Sequence, residues 1–188
     1  FMYRSFFIAF LGASVALPAF AQESKDFEIT PLIGYRFGGD FDVTKNEKAS
    51  TVKLTDETSY GVLAAWKYDR LRQGELLVSH YDTSFSQNGD FRPTDDKLSI
   101  TYAHLGGNVA ISQSTVPLFL TGGLGLTHLS PQGSGLDSET RFSMNIGLMS
   151  KYPITESLSL NLSGRVYGTF FNSDSAIFCD QADCLISI

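Results

Sequence analysis

The hydrophobic pattern is clearest between Leu158 and Phe171, where alternate residues sort into two sets. Leu158, Leu160, Leu162, Gly164, Val166, Gly168 and Phe170 form one set, and Ser159, Asn161, Ser163, Arg165, Tyr167, Thr169 and Phe171 form the other. A period of two predicts an extended strand with one apolar and one polar face. At this length the strand can cross a bilayer at a tilt.

Six further segments upstream carry the same pattern. They are Glu28 to Phe37, about Val52 to Asp69, Gly74 to Phe85, Lys97 to Ile111, Pro117 to Leu129 and Glu139 to Tyr152. Pro31 sits awkwardly in the first of these, since proline cannot donate to a ladder. After Gly106-Gly107 the two faces lose their contrast, which predicts a bulge or a glycine bend. The stretch Gly38 to Thr51 shows no periodicity and is expected to be a polar loop. The connections after the first, third, fifth and seventh strands are long and polar, while those after the second, fourth and sixth are about five residues. Transmembrane barrels have this alternation of short periplasmic turns and long outer loops.

The N-terminus follows a different rule. Arg4 is the only charge before an apolar run from about Phe6 to Leu17, Pro18 breaks the run, and Ala19-Phe20-Ala21 offers a small-x-small cleavage site. This pattern predicts a signal peptide over residues 1–21, cut between Ala21 and Gln22. A chain exported this way, with no later run long enough for a membrane helix, is either soluble or a barrel. A soluble ligand-binding barrel also alternates, with its apolar face inward. Three features favour the membrane form. The polar face is rich in Ser, Thr and Gly and sparse in charge, aromatic residues (Tyr35, Phe37, Tyr60, Trp66, Tyr68, Phe170) sit near strand ends as in interfacial girdles, and loop lengths alternate. Residues 22–188 are therefore read as one all-β domain, an antiparallel up-and-down transmembrane β-barrel in the outer membrane of a Gram-negative cell, reached through the periplasm.

Composition adds two constraints. The chain has 14 basic and 20 acidic residues, a net charge of −6, and loss of Arg4 makes it one unit more negative. A nucleic-acid role needs a basic face and is excluded. The two cysteines, Cys179 and Cys184, lie close together in an exported chain, which predicts a disulfide stapling the last loop. Zinc is a poor alternative, because no His or further Cys lies nearby to complete four ligands.

The motifs RFGGDF, SYGVLAAWKYD, HLGGNVA, GGLGLT, GLDSETRFS and the FC…C loop resemble the small outer-membrane β-barrel proteins of Gram-negative bacteria, the OmpA/OmpW-like porin-family barrels. The resemblance spans nearly the whole chain after residue 22. It implies eight strands, an assembly by the barrel assembly machinery, contact with outer-membrane lipid and lipopolysaccharide, and a monomer. Such barrels usually end in an aromatic residue. This sequence stops at Ile188 with CLISI starting an eighth strand, so the C-terminal strand is expected to be incomplete.

Eight strands leave an interior just wide enough for side chains. The inward set is expected to include Glu28, Arg36, Lys67, Glu75, Arg141, Asn145, Asn161, Arg165 and Tyr167, with the acids paired to Arg and Lys as a polar plug. A thin, anion-biased water path is the alternative, because bases outnumber acids in this set. His128 and Ser130, two apart on one strand face, superficially resemble the site of PagL-type lipid A deacylases. The nearest acid, Glu139, falls with Arg141 on the inner face, so a rim His beside a turn Ser is the ordinary reading. His80 and His104 form no ligand set, and the acids Glu23, Asp26, Asp40, Asp42, Asp56 and Glu57 read as solvated loop charge. The sequence therefore predicts no enzyme, no cofactor and no metal. It points to a structural or surface-interaction barrel, with a narrow passive channel as second choice and a lipid-modifying enzyme as third.

Overall fold

The computed structural model describes residues 6–16, 26–38, 40–45, 48–86, 97–112, 114, 116–132, 138–155, 158–171, 176–179 and 184–187. The described residues are all-β and contain no helix. Seven long strands carry the fold: β2 (Phe27–Phe37), β5 (Glu57–Lys67), β6 (Arg72–Ser86), β7 (Lys97–Ser112), β8 (Leu118–Pro131), β9 (Glu139–Pro153) and β10 (Ser159–Phe171). Each pairs antiparallel with the next, in the order of the chain. The sheet curls into a half-barrel, so that side chains from β2, β6 and β10 meet across its concave side. The right-handed twist of strands favours curling of this kind.

The strand limits follow the alternation closely, but four local features depart from it. The stretch expected as a polar loop contains β3 (Asp40–Lys45) and β4 (Lys48–Leu54), which form a hairpin whose second strand reaches the end of β6. Val52 therefore belongs to that hairpin and not to β5; the chain passes through Thr55 and Asp56 before β5 begins. On β7 the irregularity lies between Ala110 and Ser112, a few residues beyond the glycines. Backbone pairing, which needs no side-chain pattern, accounts for the hairpin that hydropathy could not show.

The fourth departure concerns the ends. Phe6–Ala16, expected as the apolar run of a leader, is laid down as β1 and pairs with β10 on one side and β2 on the other. The expectation that CLISI starts the next wall strand is corrected: β12 (Cys184–Ser187) pairs with β11 (Ala176–Cys179) in a separate two-stranded sheet. Eleven residues can satisfy the ladder groups of β2 and β10, whereas a four-residue strand cannot. The cleavage position, Ala21 and Gln22, lies outside the described residues.

The β5–β6 connection is a tight turn. In the β5–β6 turn the Asp69 carboxylate accepts hydrogen bonds from the backbone N–H groups of Leu71 and Arg72, both at 2.8 Å. The same carboxylate binds the Arg72 side chain at 2.6 Å. Between β9 and β10, Ile154 and Thr155 donate to the Leu158 carbonyl. At the opposite end β2 stops at Gly38, whose φ of 79° places it in the left-handed region where glycine carries no steric penalty.

Candidate functional site

The concave side of the half-barrel holds the densest set of buried polar groups, and the strand period of two explains it. On β10 the odd-numbered residues Asn161, Ser163, Arg165, Tyr167 and Thr169 are buried, and the even-numbered Leu160 and Leu162 are exposed. The same parity seals Thr30 and Arg36 on β2, Glu75 and Ser79 on β6, His104 and Asn108 on β7, and Ser143 and Asn145 on β9.

From the end with short turns upward, the groups fall into layers. Lys151 on β9 forms an ion pair with Glu28 on β2. The Glu28 carboxylate also accepts from Asn161 Nδ2 at 3.3 Å and from the Thr30 hydroxyl at 3.4 Å. Above them Arg165 Nη1 donates to Glu75 Oε1 at 2.5 Å and to Asn145 Oδ1 at 3.2 Å. Glu75 and Arg165 are only 2% and 3% exposed. Two charges this far from water are tolerable only as a pair with further hydrogen bonds.

The next layer is aromatic. The Arg36 guanidinium lies 3.8 Å from the centroid of Tyr167, 5.2 Å from that of Tyr102 and 5.7 Å from that of Tyr81. Its Nη2 donates to Ser79 Oγ at 2.7 Å. Among the described residues Arg36 has no carboxylate partner, and its Nε and Nη1 have no hydrogen-bond acceptor. Ring faces carry negative potential, so the three tyrosines offset part of the cost of this buried cation. His104 stacks on Tyr102 at 5.6 Å between centroids and shares a 2.8 Å hydrogen bond, through Nε2, with Ser143 Oγ. Nearest the long loops, Thr127 and Thr169 share a bond of 3.0 Å, and Arg141 forms an ion pair with Glu139.

Eight of the nine residues expected inward, Glu28, Arg36, Glu75, Arg141, Asn145, Asn161, Arg165 and Tyr167, are buried or half-buried on the concave side. Lys67 is the exception: at the last position of β5 it is exposed at the rim. Sequence reasoning left Lys151, Ser79, Tyr81, Tyr102 and His104 out of the inward set, and it placed Glu139 with Arg141 on the inner face, where the two form an ion pair. Tyr102 shares its strand face with Leu98 and Ile100, and all three are buried on the concave side. The usable signal was parity with Asn108 on the same strand.

The convex side carries the remaining candidates. His128 is exposed, and its Nδ1 shares a hydrogen bond of 2.9 Å with the Thr140 hydroxyl. Ser130 shares its face, while Glu139 is engaged with Arg141 on the other side of the sheet. His80 binds Thr101 at 2.8 Å, and Asp82 accepts from Ser99 at 2.5 Å. These groups form a polar collar on the outer wall toward the long loops. No group of three His, Cys, Asp or Glu suited to a metal occurs among the described residues. Cys179 and Cys184 are register partners across the β11–β12 hairpin, and their side chains lie outside the described residues. No family model matches the chain, and no curated protein is significantly similar to it.

Proposed function

We propose that the chain forms a non-enzymatic outer-membrane β-barrel protein of eight wall strands, with a plugged polar interior and loops that meet the outside, in a structural or surface-interaction role. The observation that carries this reading is the inverted distribution of polarity. Charged and amide side chains are buried inside, while Ile33, Val62, Val78, Leu105, Leu124, Ile146 and Leu162 are among the large apolar residues exposed outside. A soluble protein does not expose so continuous an apolar face. On β8 the outward run from Leu118 to Leu126 corresponds to roughly 20 Å of height at a tilt near 40°, close to the ~25 Å apolar band of outer-membrane barrels. The polar collar at His80, Thr101, His128 and Thr140 lies where that band ends.

Export by a cleaved leader belongs to the same proposal, as does a disulfide between Cys179 and Cys184. In the mature chain the wall position of β1 would then pass to another strand. The first experiment expresses the full-length gene, isolates outer membranes and compares boiled with unboiled protein on a gel. A heat-modifiable band in that fraction, with an intact mass starting at Gln22, is the expected result. A soluble periplasmic protein with no shift overturns the reading.

The second reading is a narrow channel. It is favoured by Arg36, a buried cation without a carboxylate partner among the described residues, and by the buried polar atoms of Asn108 and Thr121 that have no hydrogen-bond partner among them. Single-channel recording on the intact protein decides between the two. A plugged barrel gives no steady conductance, and a channel gives small, anion-biased openings that an Arg36→Met variant shifts toward cations.

A further inference from the structure

We propose that the outer wall carries a site for one phospholipid with an anionic headgroup, in a groove over β7, β8 and β9; this rests on the membrane-barrel reading above. The groove has a volume of about 910 Å3 and is walled by Leu105, Val109, Leu120, Leu124 and Ile146. Its size falls within the range of small-molecule sites. Gly107 and Gly122 form its floor and face one another in register.

The two glycines have different reasons to be there. A Cβ at Gly107 would come within 2.6 Å of the Gln73 carbonyl oxygen, so the close approach of β6 and β7 requires glycine. At Gly122 the nearest atom to an added Cβ is the Asn145 carbonyl oxygen at 3.5 Å, an ordinary contact. Nothing in the protein's own wall calls for glycine at 122. Leu118 and Leu120 occupy the outward positions before it on that strand, and Leu124 and Leu126 those after it. Glycine in a strand interior weakens the strand and marks places where a ligand approaches closely. The break in the leucine row holds the groove open.

One end of the groove identifies its occupant. Tyr68 and Arg72 line it there. The Tyr68 ring stands edge-on to Trp66 at 6.3 Å between centroids, and such aromatic pairs sit at headgroup level. The same turn carries Lys67, Asp69, Arg70 and Arg72, three cations against one acid, and Asp69 is engaged with Arg72. Positive charge at headgroup level, with an apolar furrow running from it to hydrocarbon depth, complements an anionic head and one acyl chain.

The test uses the full-length protein, purified from outer membranes in mild detergent and mixed with phosphatidylglycerol or phosphatidylethanolamine for native mass spectrometry. Wild type is expected to retain one phosphatidylglycerol several-fold better than phosphatidylethanolamine. Gly122→Leu, which fills the groove, should lose that lipid and keep the heat-modifiable band; if the leucine variant does not fold, Gly122→Ala serves in its place with a smaller loss. Arg70→Gln with Arg72→Gln should keep binding and lose the preference between headgroups. Equal retention of both lipids by wild type, or unchanged retention in the Gly122 variant, overturns the proposal. So does a bound second copy of the chain that the Gly122 variant releases. A wild-type protein with no heat-modifiable band overturns the membrane reading instead, and that result is separate from any lipid count.

Discussion

On β8, Thr121 and Thr127 are sealed on the concave side at 1% exposure, while Leu124 and Leu126 stand at 56% and 50% on the convex side. Neighbours in the chain thus obey opposite burial rules. Inside, polar groups such as Glu75 and Thr127 are held by specific partners, and removing one partner strands the other. Outside, Leu124 and Leu126 present apolar surface with no polar group to satisfy. The comparison teaches that the interior is selected for pairing and the exterior for its solvent.

The sharpest way to break the comparison is at the Glu75–Arg165 pair. Arg165→Met should cost about 3–5 kcal/mol in urea unfolding, because Glu75 is left charged and buried. The double variant Glu75→Leu with Arg165→Met should recover most of that loss. A double variant as unstable as the single one would mean that the site matters for volume and not for charge.

The next test moves to the convex side. Leu124→Arg should cost about 2–4 kcal/mol in a bilayer, the range for Arg near the midplane of a barrel wall. Were that face bathed in water, the same change would stay within about 0.5 kcal/mol.

These two experiments rest on features of unequal visibility in the sequence. The parity of Leu158 to Phe171 and the alternating loop lengths were enough to place seven strands, because a sheet writes its period directly into the chain. Height along the barrel was not legible. Arg36, Tyr81, Tyr102 and Tyr167 come from four strands, and their meeting depends on the stagger between strands, which no single segment encodes. Lys151 was missed for a related reason: at the end of β9, faces become ambiguous just where rim residues begin. The apolar run Phe6–Ala16 has the composition of a leader, and it also has enough backbone to fill a ladder, so composition and pairing give different answers for it.

A smaller effect is expected within the aromatic layer. Ser79→Ala removes the hydrogen bond that Arg36 Nη2 donates to Ser79 and should cost about 1.5–3 kcal/mol, the range for a bond to a charged group. Thermal unfolding of the unboiled band measures it. An unchanged midpoint would show that the tyrosine rings alone hold Arg36.

The smallest effect belongs to the β5–β6 turn, outside the wall strands. The backbone N–H of Leu71 and then the Arg72 side chain hold the Asp69 carboxyl below its usual value of 3.8. A carboxyl depressed in the folded state stabilises above its unfolded pKa, and that stabilisation fades as pH falls through the folded value. Asp69→Asn should therefore melt slightly below wild type at neutral pH. The two should converge in acid, below the normal carboxylate range. A gap that stays constant with pH would assign the turn's stability to shape and not to charge.

The order of the seven wall strands also has a kinetic consequence. Every pairing from β2 to β10 joins neighbours among the seven wall strands, so each costs only the closure of the one connection between them, the longest being residues 38–56. The seam between β2 and β10, held here by β1, joins ends separated by about ten times more chain. By loop-closure entropy that seam costs roughly 2 kcal/mol more than a hairpin. Hairpins should zip in succession and the seam should form last, so the slow step of assembly falls on the two strands farthest apart in the chain.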